Sequence, residues 1–343
     1  MPNSAMPVTS VEAAWETVLR VCPPDIQSRI QALSKSVLEQ IEEIRFRLAQ
    51  PLQLCGASFD AFLHREQGLT EDVQQGLVVG TEHLSRVIQA VTQSSLYAVE
   101  DELKRGYVTM PGGHRVGIGG RAVLYESGAV RSIRSITSLN VRIAKERIGA
   151  ASALLPFVYH KTSGKPLNIL IISPPQCGKT TILRELTRSW SEGLVGSVRR
   201  GMKVTVVDER SEIAGCVEGV AQFRLGPRTD VLDACPKAEG MLMAIRSLSP
   251  DIVVTDEIGR QQDRDAVLEA THAGVKVLAT AHASGLEEWR DRPFMKELYD
   301  AKAFDRYVVL SRRSGPGTIE QILDAQGRGQ GGFTAHGKRL DAP

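Results

Sequence analysis

Aromatic side chains are scarce in this chain, 5% of 343 residues, and neither charge dominates: 42 Lys+Arg oppose 40 Asp+Glu, a formal net charge of +2. A strongly basic surface interleaved with stacking rings, the signature of single-strand nucleic-acid binding, is therefore not expected. Nothing in the charge balance requires an acidic membrane surface either. The cysteines are few and dispersed: among Cys22, Cys55, Cys177, Cys216 and Cys235 the nearest pair, Cys216 and Cys235, stands 19 positions apart. That excludes a CxxC zinc knuckle or a local redox pair and fits a reducing compartment. Long apolar runs are missing too. The longest have strand length, such as Ile169–Ile172, whereas a membrane span needs roughly 20 residues. The opening MPNSAMPVTS has neither the basic start nor the apolar core of a signal peptide. The expected location is the cytoplasm, with any work at a membrane done through a partner.

What is present is an ordinary globular composition, 42% apolar and 24% charged, long enough for about two domains of ~100–200 residues. Residues 1–10 and 326–343 are expected to be disordered ends. Residues 11–144 read as a smaller α+β domain. Its helices are expected at Val11–Arg20, Ile26–Leu38 and Thr81–Leu103, with Thr81 as N-cap. Its strands are expected at Ile41–Leu48, Gly106–Met110, Arg115–Ile118, Arg121–Tyr125 and Val141–Ile143. Residues 145–325 read differently. After a helix at Gly149–His160, apolar strands (Leu167–Ile172, Lys203–Val207, Ile252–Thr255, Val275–Thr280, Tyr307–Leu310) are interspersed with helices at Thr180–Trp190, Glu239–Leu248 and Asp263–Ala273. Short apolar strands separated by helices predict a parallel sheet covered on both faces.

The strongest chemical signal is the run Ser173, Pro174, Pro175, Gln176, Cys177, Gly178, Lys179, Thr180, Thr181. It follows a strand and opens a helix, as a phosphate-binding loop requires. Backbone N–H groups would surround the β-phosphate of ATP, Lys179 would bridge the β- and γ-phosphates, and the Thr180 hydroxyl would reach Mg²⁺. Two positions depart from GxxxxGK[ST]. Ser173 replaces the first glycine, and Gln176 sits where another is common. If position 173 needed φ > 0, serine would cost on the order of 1 kcal/mol. Asp256-Glu257 ends the strand Ile252–Thr255. There Asp256 would hold Mg²⁺ through water and Glu257 would polarise the attacking water. Asp208-Glu209 repeats this acidic strand end and is a second candidate for Mg²⁺ or water placement. His282, after Val275–Thr280, suits a γ-phosphate sensor. Arg228, one of several arginines in this half, is a candidate finger across a subunit boundary. The glycine-rich Gly112–Gly120 superficially matches a dinucleotide fingerprint, but a strand-like segment follows it, so a tight hairpin is expected. Cys177 reads as a small loop residue.

Taken together, the phosphate loop, Asp208-Glu-Arg-Ser-Glu-Ile-Ala-Gly, Leu225-Gly-Pro-Arg-Thr-Asp-Val-Leu-Asp, Lys237-Ala-Glu-Gly-Met, Arg246-Ser-Leu-Ser-Pro-Asp and Asp256-Glu-Ile-Gly closely resemble the stage III sporulation protein AA family. Glu43-Ile-Arg-Phe-Arg, Gly106-Tyr-Val-Thr and Gly112-Gly-His-Arg-Val-Gly extend the likeness into the N-terminal half. The family is related to bacterial secretion and pilus ATPases. The resemblance implies a RecA-like core hydrolysing Mg·ATP, a homo-oligomer expected to be a hexameric ring, and a place on the mother-cell side of the outer forespore membrane through a membrane partner of the channel. It further implies that N-terminal arginines reach a neighbour's nucleotide, with Arg115, Arg121 and Arg134 as counterparts. Two other readings remain at this point. A nucleic-acid-dependent P-loop ATPase is disfavoured by the charge balance, and a nucleotide-binding assembly subunit without turnover is motivated by Ser173.

Overall fold

The computed structural model describes residues 11–56, 59–93, 99–160, 162–194 and 200–330, so the ends at 1–10 and 331–343 lie outside the described residues. The chain divides into two compact units. One takes residues 1–146 together with the short excursion 215–222; the other takes 147–214 and 223–343.

The first unit begins with three helices, α1 (Val11–Val21), α2 (Pro24–Gln31) and α3 (Lys35–Gln40). Pro24 sits at the first helical position of α2, where its missing N–H costs nothing. The single helix expected over Ile26–Leu38 is two. The backbone turns extended at Ser34 (ψ 151°), ending one ladder and starting another. Strands β1 (Glu43–Arg47), β2 (Gln53–Gly56), β3 (Phe59–Leu63) and β4 (Leu69–Thr70) follow, then α4 (Thr81–Val91), α5 (Glu100–Arg105), β5 (Tyr107–Met110), β6 (His114–Leu124) and β7 (Val130–Arg142). The helix expected over Thr81–Leu103 stops at Val91, Gly80 rather than Thr81 is its N-cap, and residues 94–98 lie outside the described residues. Arg115–Ile118 and Arg121–Tyr125 are not separate strands. Gly119-Gly120 makes a bulge within the continuous β6. The glycine-rich Gly112–Gly120 lies in the β5–β6 hairpin and its second strand.

These strands form one antiparallel sheet in the order β4-β3-β2-β1-β7-β6-β5. Alternation sorts its faces: Ile44 and Phe46 of β1 are buried with Leu139 and Val141 of β7, while Glu43, Arg45 and Arg47 turn the other way. The buried face packs with Val18, Ile26, Ile30 and Val87 from the helices.

The second unit opens with a 3₁₀ segment, Ser152–Phe157, where an α-helix over Gly149–His160 was expected. Pro156 inside it offers no N–H and blocks an α ladder. Then come β8 (Ile169–Ser173), α6 (Lys179–Glu192), β9 (Val204–Asp208), β10 (Thr229–Asp233), α7 (Lys237–Ser247), β11 (Ile252–Thr255), α8 (Gln261–His272), β12 (Lys276–His282), α9 (Leu286–Arg290), α10 (Met295–Asp300), β13 (Arg306–Ser311) and β14 (Thr318–Asp324). The sheet order is β10-β9-β11-β12-β8-β13-β14. All neighbours are parallel except β14, which returns antiparallel to β13. β8, β9 and β11 are buried along their whole length, as covered parallel strands must be. Residues 326–330, expected in a disordered tail, are folded back instead: Asp324 accepts the N–H groups of Gln326 and Arg328, and Gln330 N–H donates to Ile322 O.

His114, at the start of β6, is fully buried. Its Nδ1 accepts the Ala144 N–H at 3.0 Å and its Nε2 has no partner. Burial pulls its pKa down to about 4. As pH falls, the unfolded chain, with a histidine near 6.5, therefore takes up the proton first, so stability is intact above about pH 6.5 and drains away toward pH 4, by ~3 kcal/mol in all. Urea unfolding at about pH 7.5 and about pH 5 should show a loss of ~2 kcal/mol from this group. His114→Asn, which keeps an acceptor for Ala144 but does not titrate, should shrink that loss, and an unchanged loss would contradict the assignment.

Candidate functional site: a phosphate loop facing an acidic strand end

Parallel register puts the site together. Ser173, the last residue of β8, is the Cα partner of His282, the last of β12, and Thr255 of β11 pairs with Ala279 of β12. The chain leaving β8 as a loop and the chain leaving β11 as Asp256-Glu257 therefore emerge at one sheet edge, with the end of β12 between them. In open α/β sheets this carboxyl edge is where ligands bind.

The loop closes with Gly178 at φ 84° as the cap of α6, and Gln176 also takes a left-handed φ, 60°. Ser173 does not have a positive φ. The substitution at 173 is therefore free of backbone strain, and the cost, roughly 1–2 kcal/mol, falls on Gln176. Ser173 is used instead: its Oγ donates to Pro174 O at 2.8 Å and accepts from Lys179 Nζ at 3.2 Å. Lys179, only 7% exposed, also donates to Ser173 O (3.0 Å) and Pro174 O (2.9 Å) and meets His282 Nδ1 at 3.0 Å. Burial lowers its pKa, against the pull of Cys177 and Glu257.

An ammonium only donates, so His282 Nδ1 must accept, and the ring proton sits on Nε2, which donates to Glu257 Oε1 at 2.7 Å. Glu257 receives a second contact from Arg210 Nη1 at 3.2 Å, and its own N–H is held by Thr280 Oγ1 at 2.9 Å. Burial pushes the Glu257 carboxyl up, but the His282 hydrogen bond and the charges of Arg210 and Lys179 outweigh it, leaving the pKa below the ordinary glutamate value. Lys179, His282, Glu257 and Arg210 thus form one connected chain. Sequence reasoning gave no role to Arg210 or Thr280. Each is visible only once β9, β11 and β12 are side by side.

Asp256 is 3% exposed, and its Oδ1 has no hydrogen-bond partner. Burial, with Asp208, Glu212 and Glu257 adding negative charge, pushes its pKa up to about 7. A buried carboxylate oxygen with nothing to accept fits a hard cation or its water. Thr180, the other oxygen ligand expected from the sequence, lies in the first turn of α6. Asp208 is placed otherwise: its two oxygens accept the N–H groups of Glu212, Ile213 and Ala214 at 2.7–2.9 Å, fastening the loop after β9. Glu209 pairs with Lys237.

The candidate fingers divide. Arg228 lies before β10, at the opposite edge of the sheet, with its Nη1 on Ser191 O at 2.9 Å. The structure does not bring it to the phosphate loop. In the first unit Arg115 covers the Tyr107 ring at 3.7 Å, on the polar face shared with Arg142, and Arg121 faces Arg134 across β6–β7. Two guanidinium groups directly opposite each other repel unless an anion lies between them.

Asp208→Ala should leave three amides, two of them buried, without an acceptor and cost ~3 kcal/mol or more, read as a lowered thermal midpoint. A melting curve that matches the native protein's would show that another group holds residues 212–214.

Comparison with known proteins agrees with this geometry. The family model "Sporulation stage III, protein AA" matches residues 16–330. Stage III sporulation protein AA of Bacillus subtilis (strain 168) is 44% identical over 310 residues, covering 90% of this chain and 95% of that protein. Among solved structures, the Yersinia pseudotuberculosis ATPase DotB aligns over 95% of this chain and 86% of its own with TM-score 0.55 and 11% identity. The pilus retraction motor PilT, solved with bound ADP, aligns over 85% and 77% with TM-score 0.52 and 12% identity. These two show the fold: a parallel α/β core of the kind those ATPases have, following a smaller α+β domain in the chain. By its family match over residues 16–330 and its 44% identity to the Bacillus subtilis protein, the chain belongs to the stage III sporulation protein AA family.

Proposed function

We propose that this protein is a Mg·ATP-hydrolysing ring ATPase that powers or assembles the channel between mother cell and forespore during sporulation. The observation that carries the reading is the buried Lys179 of a phosphate loop, linked through His282 to the carboxylate of Glu257 at one sheet edge.

In this reading the loop amides from Gln176 to Thr181 and the N-terminus of α6 receive the phosphate chain. Lys179 exchanges its carbonyl partners for phosphate oxygens, which suits a lysine whose present acceptors are neutral. Thr180 and Asp256 would hold Mg²⁺, which would supply charge neutralisation at the phosphates. Glu257, ionised because His282 and Arg210 stabilise its charged form, accepts the proton of the attacking water. His282 touches Lys179 on one ring nitrogen and Glu257 on the other, so it registers whether the lysine has moved to a phosphate. That supports a sensor role. Glu209, fixed by Lys237, orders the rim of the site rather than the metal. Arg115, Arg121 and Arg134 would reach the nucleotide of a neighbouring subunit, the requirement that makes a homo-oligomer, a hexamer in this proposal, part of the mechanism. Among the described residues no helix is long and apolar enough to cross a membrane, so a membrane component of the channel would recruit the ring from the mother-cell cytoplasm.

Glu257→Gln should keep ATP binding and lower turnover by ~10²–10⁴-fold, the usual contribution of a positioned base. Lys179→Ala should lose binding itself. ATP binding and phosphate release measured on the same preparations separate the two, and native-like turnover in Glu257→Gln would remove the glutamate from the chemistry.

A further inference from the structure

The turn between β13 and β14, residues 312–317, lies against the phosphate loop. Gly317 N–H donates to Cys177 O at 2.9 Å. A Cβ on Gly178 would meet Gly317 N at 2.9 Å, so only glycine at 178 permits this approach. The turn is held in shape by Thr318, whose Oγ1 donates to Gly315 O at 2.7 Å.

It brings two arginines, and they are used differently. Arg313 is fixed by both Glu320 oxygens, Nε at 3.1 Å and Nη2 at 3.0 Å. Arg312 is exposed and has no acidic partner among the described residues. Its contact is a long one, Nη1 to the Gln176 side-chain Oε1 at 3.4 Å. A neutral amide at that distance is a weak partner for a guanidinium, which elsewhere takes carboxylate or phosphate through two parallel bonds. Gln176 is also the residue that carries the left-handed strain in the loop, φ 60°. A glycine there would remove the strain but leave Arg312 without an acceptor.

Resting on the nucleotide-binding reading of the loop, we infer that Arg312 is a second cationic ligand for the phosphate chain of the nucleotide, supplied by the same subunit and kept beside the loop by the Gln176 amide. On binding, the guanidinium leaves Gln176 for phosphate oxygens. The β13–β14 turn is then a wall of the nucleotide site, and Gln176 is a positioning residue for Arg312.

The test is ATP affinity of the full chain with Mg²⁺, by titration calorimetry, for the native protein, Arg312→Ala, Arg312→Lys, Lys179→Ala and Arg328→Ala. Arg328 pairs with Asp324 at the far end of β14, so its loss matches the change in net charge without touching the site. Arg312→Ala should weaken binding about tenfold, Arg312→Lys by less, and Arg328→Ala not at all. Circular dichroism should show Arg312→Ala as folded as the native chain, since the side chain is exposed. Affinity in Arg312→Ala within about twofold of native, or a loss equal to that in Arg328→Ala, overturns the inference while the loss in Lys179→Ala keeps the nucleotide reading. A native protein that fails to bind ATP overturns both.

Discussion

A buried ammonium group has to be answered from several directions, and Lys179 is answered from two strands at once. Its acceptors are the carbonyl and hydroxyl of Ser173 at the end of β8, the Pro174 carbonyl and a ring nitrogen of His282 at the end of β12. An unpaired charge taken out of water costs far more than a domain's net stability, so this arrangement constrains everything near it. β8 and β12 must stay in the register that pairs Ser173 with His282. His282 must hold the tautomer that points its remaining proton at Glu257. That carboxylate is thereby ionised and held in place.

The two departures from the usual phosphate-loop pattern now separate physically. At position 173 the backbone is not left-handed, and the serine hydroxyl serves as one of the lysine's acceptors. At 176 the backbone is left-handed, and the glutamine is tolerated at a cost. The position that looked most damaging in the pattern is benign, and the quieter one is strained. The doubt that Ser173 cast on nucleotide binding therefore has no support in the loop's geometry.

How much was legible in the sequence follows the range of the interactions involved. β8, β11 and α6 could be read because a run of buried β-branched residues, or a 3.6-residue period, is a local pattern. The loop, the acidic strand end and His282 were legible because each is defined by its place after such a strand. The split at Ser34, the 3₁₀ turn around Pro156 and the bulge at Gly119-Gly120 involve one or two residues overruling a longer trend. Strands such as β2, β10 and β14 were missed because most of their residues are only partly buried and give no continuous apolar run. The Asp208 carboxylate could not be distinguished from Asp256 by sequence, since both end buried strands. Three backbone amides a few residues downstream of Asp208 make the difference, and Asp256 Oδ1 has none.

The account stands or falls on whether this site turns ATP over as part of an assembly. The direct measurement is phosphate release per subunit with Mg²⁺ across about a hundredfold range of protein concentration, with mass recorded by light scattering at each point. If arginines of one subunit complete the site of the next, activity per subunit rises with concentration in step with assembly, as expected for linkage between association and function. Constant activity per subunit in a monomer, or no release above background in fully assembled protein, would contradict it.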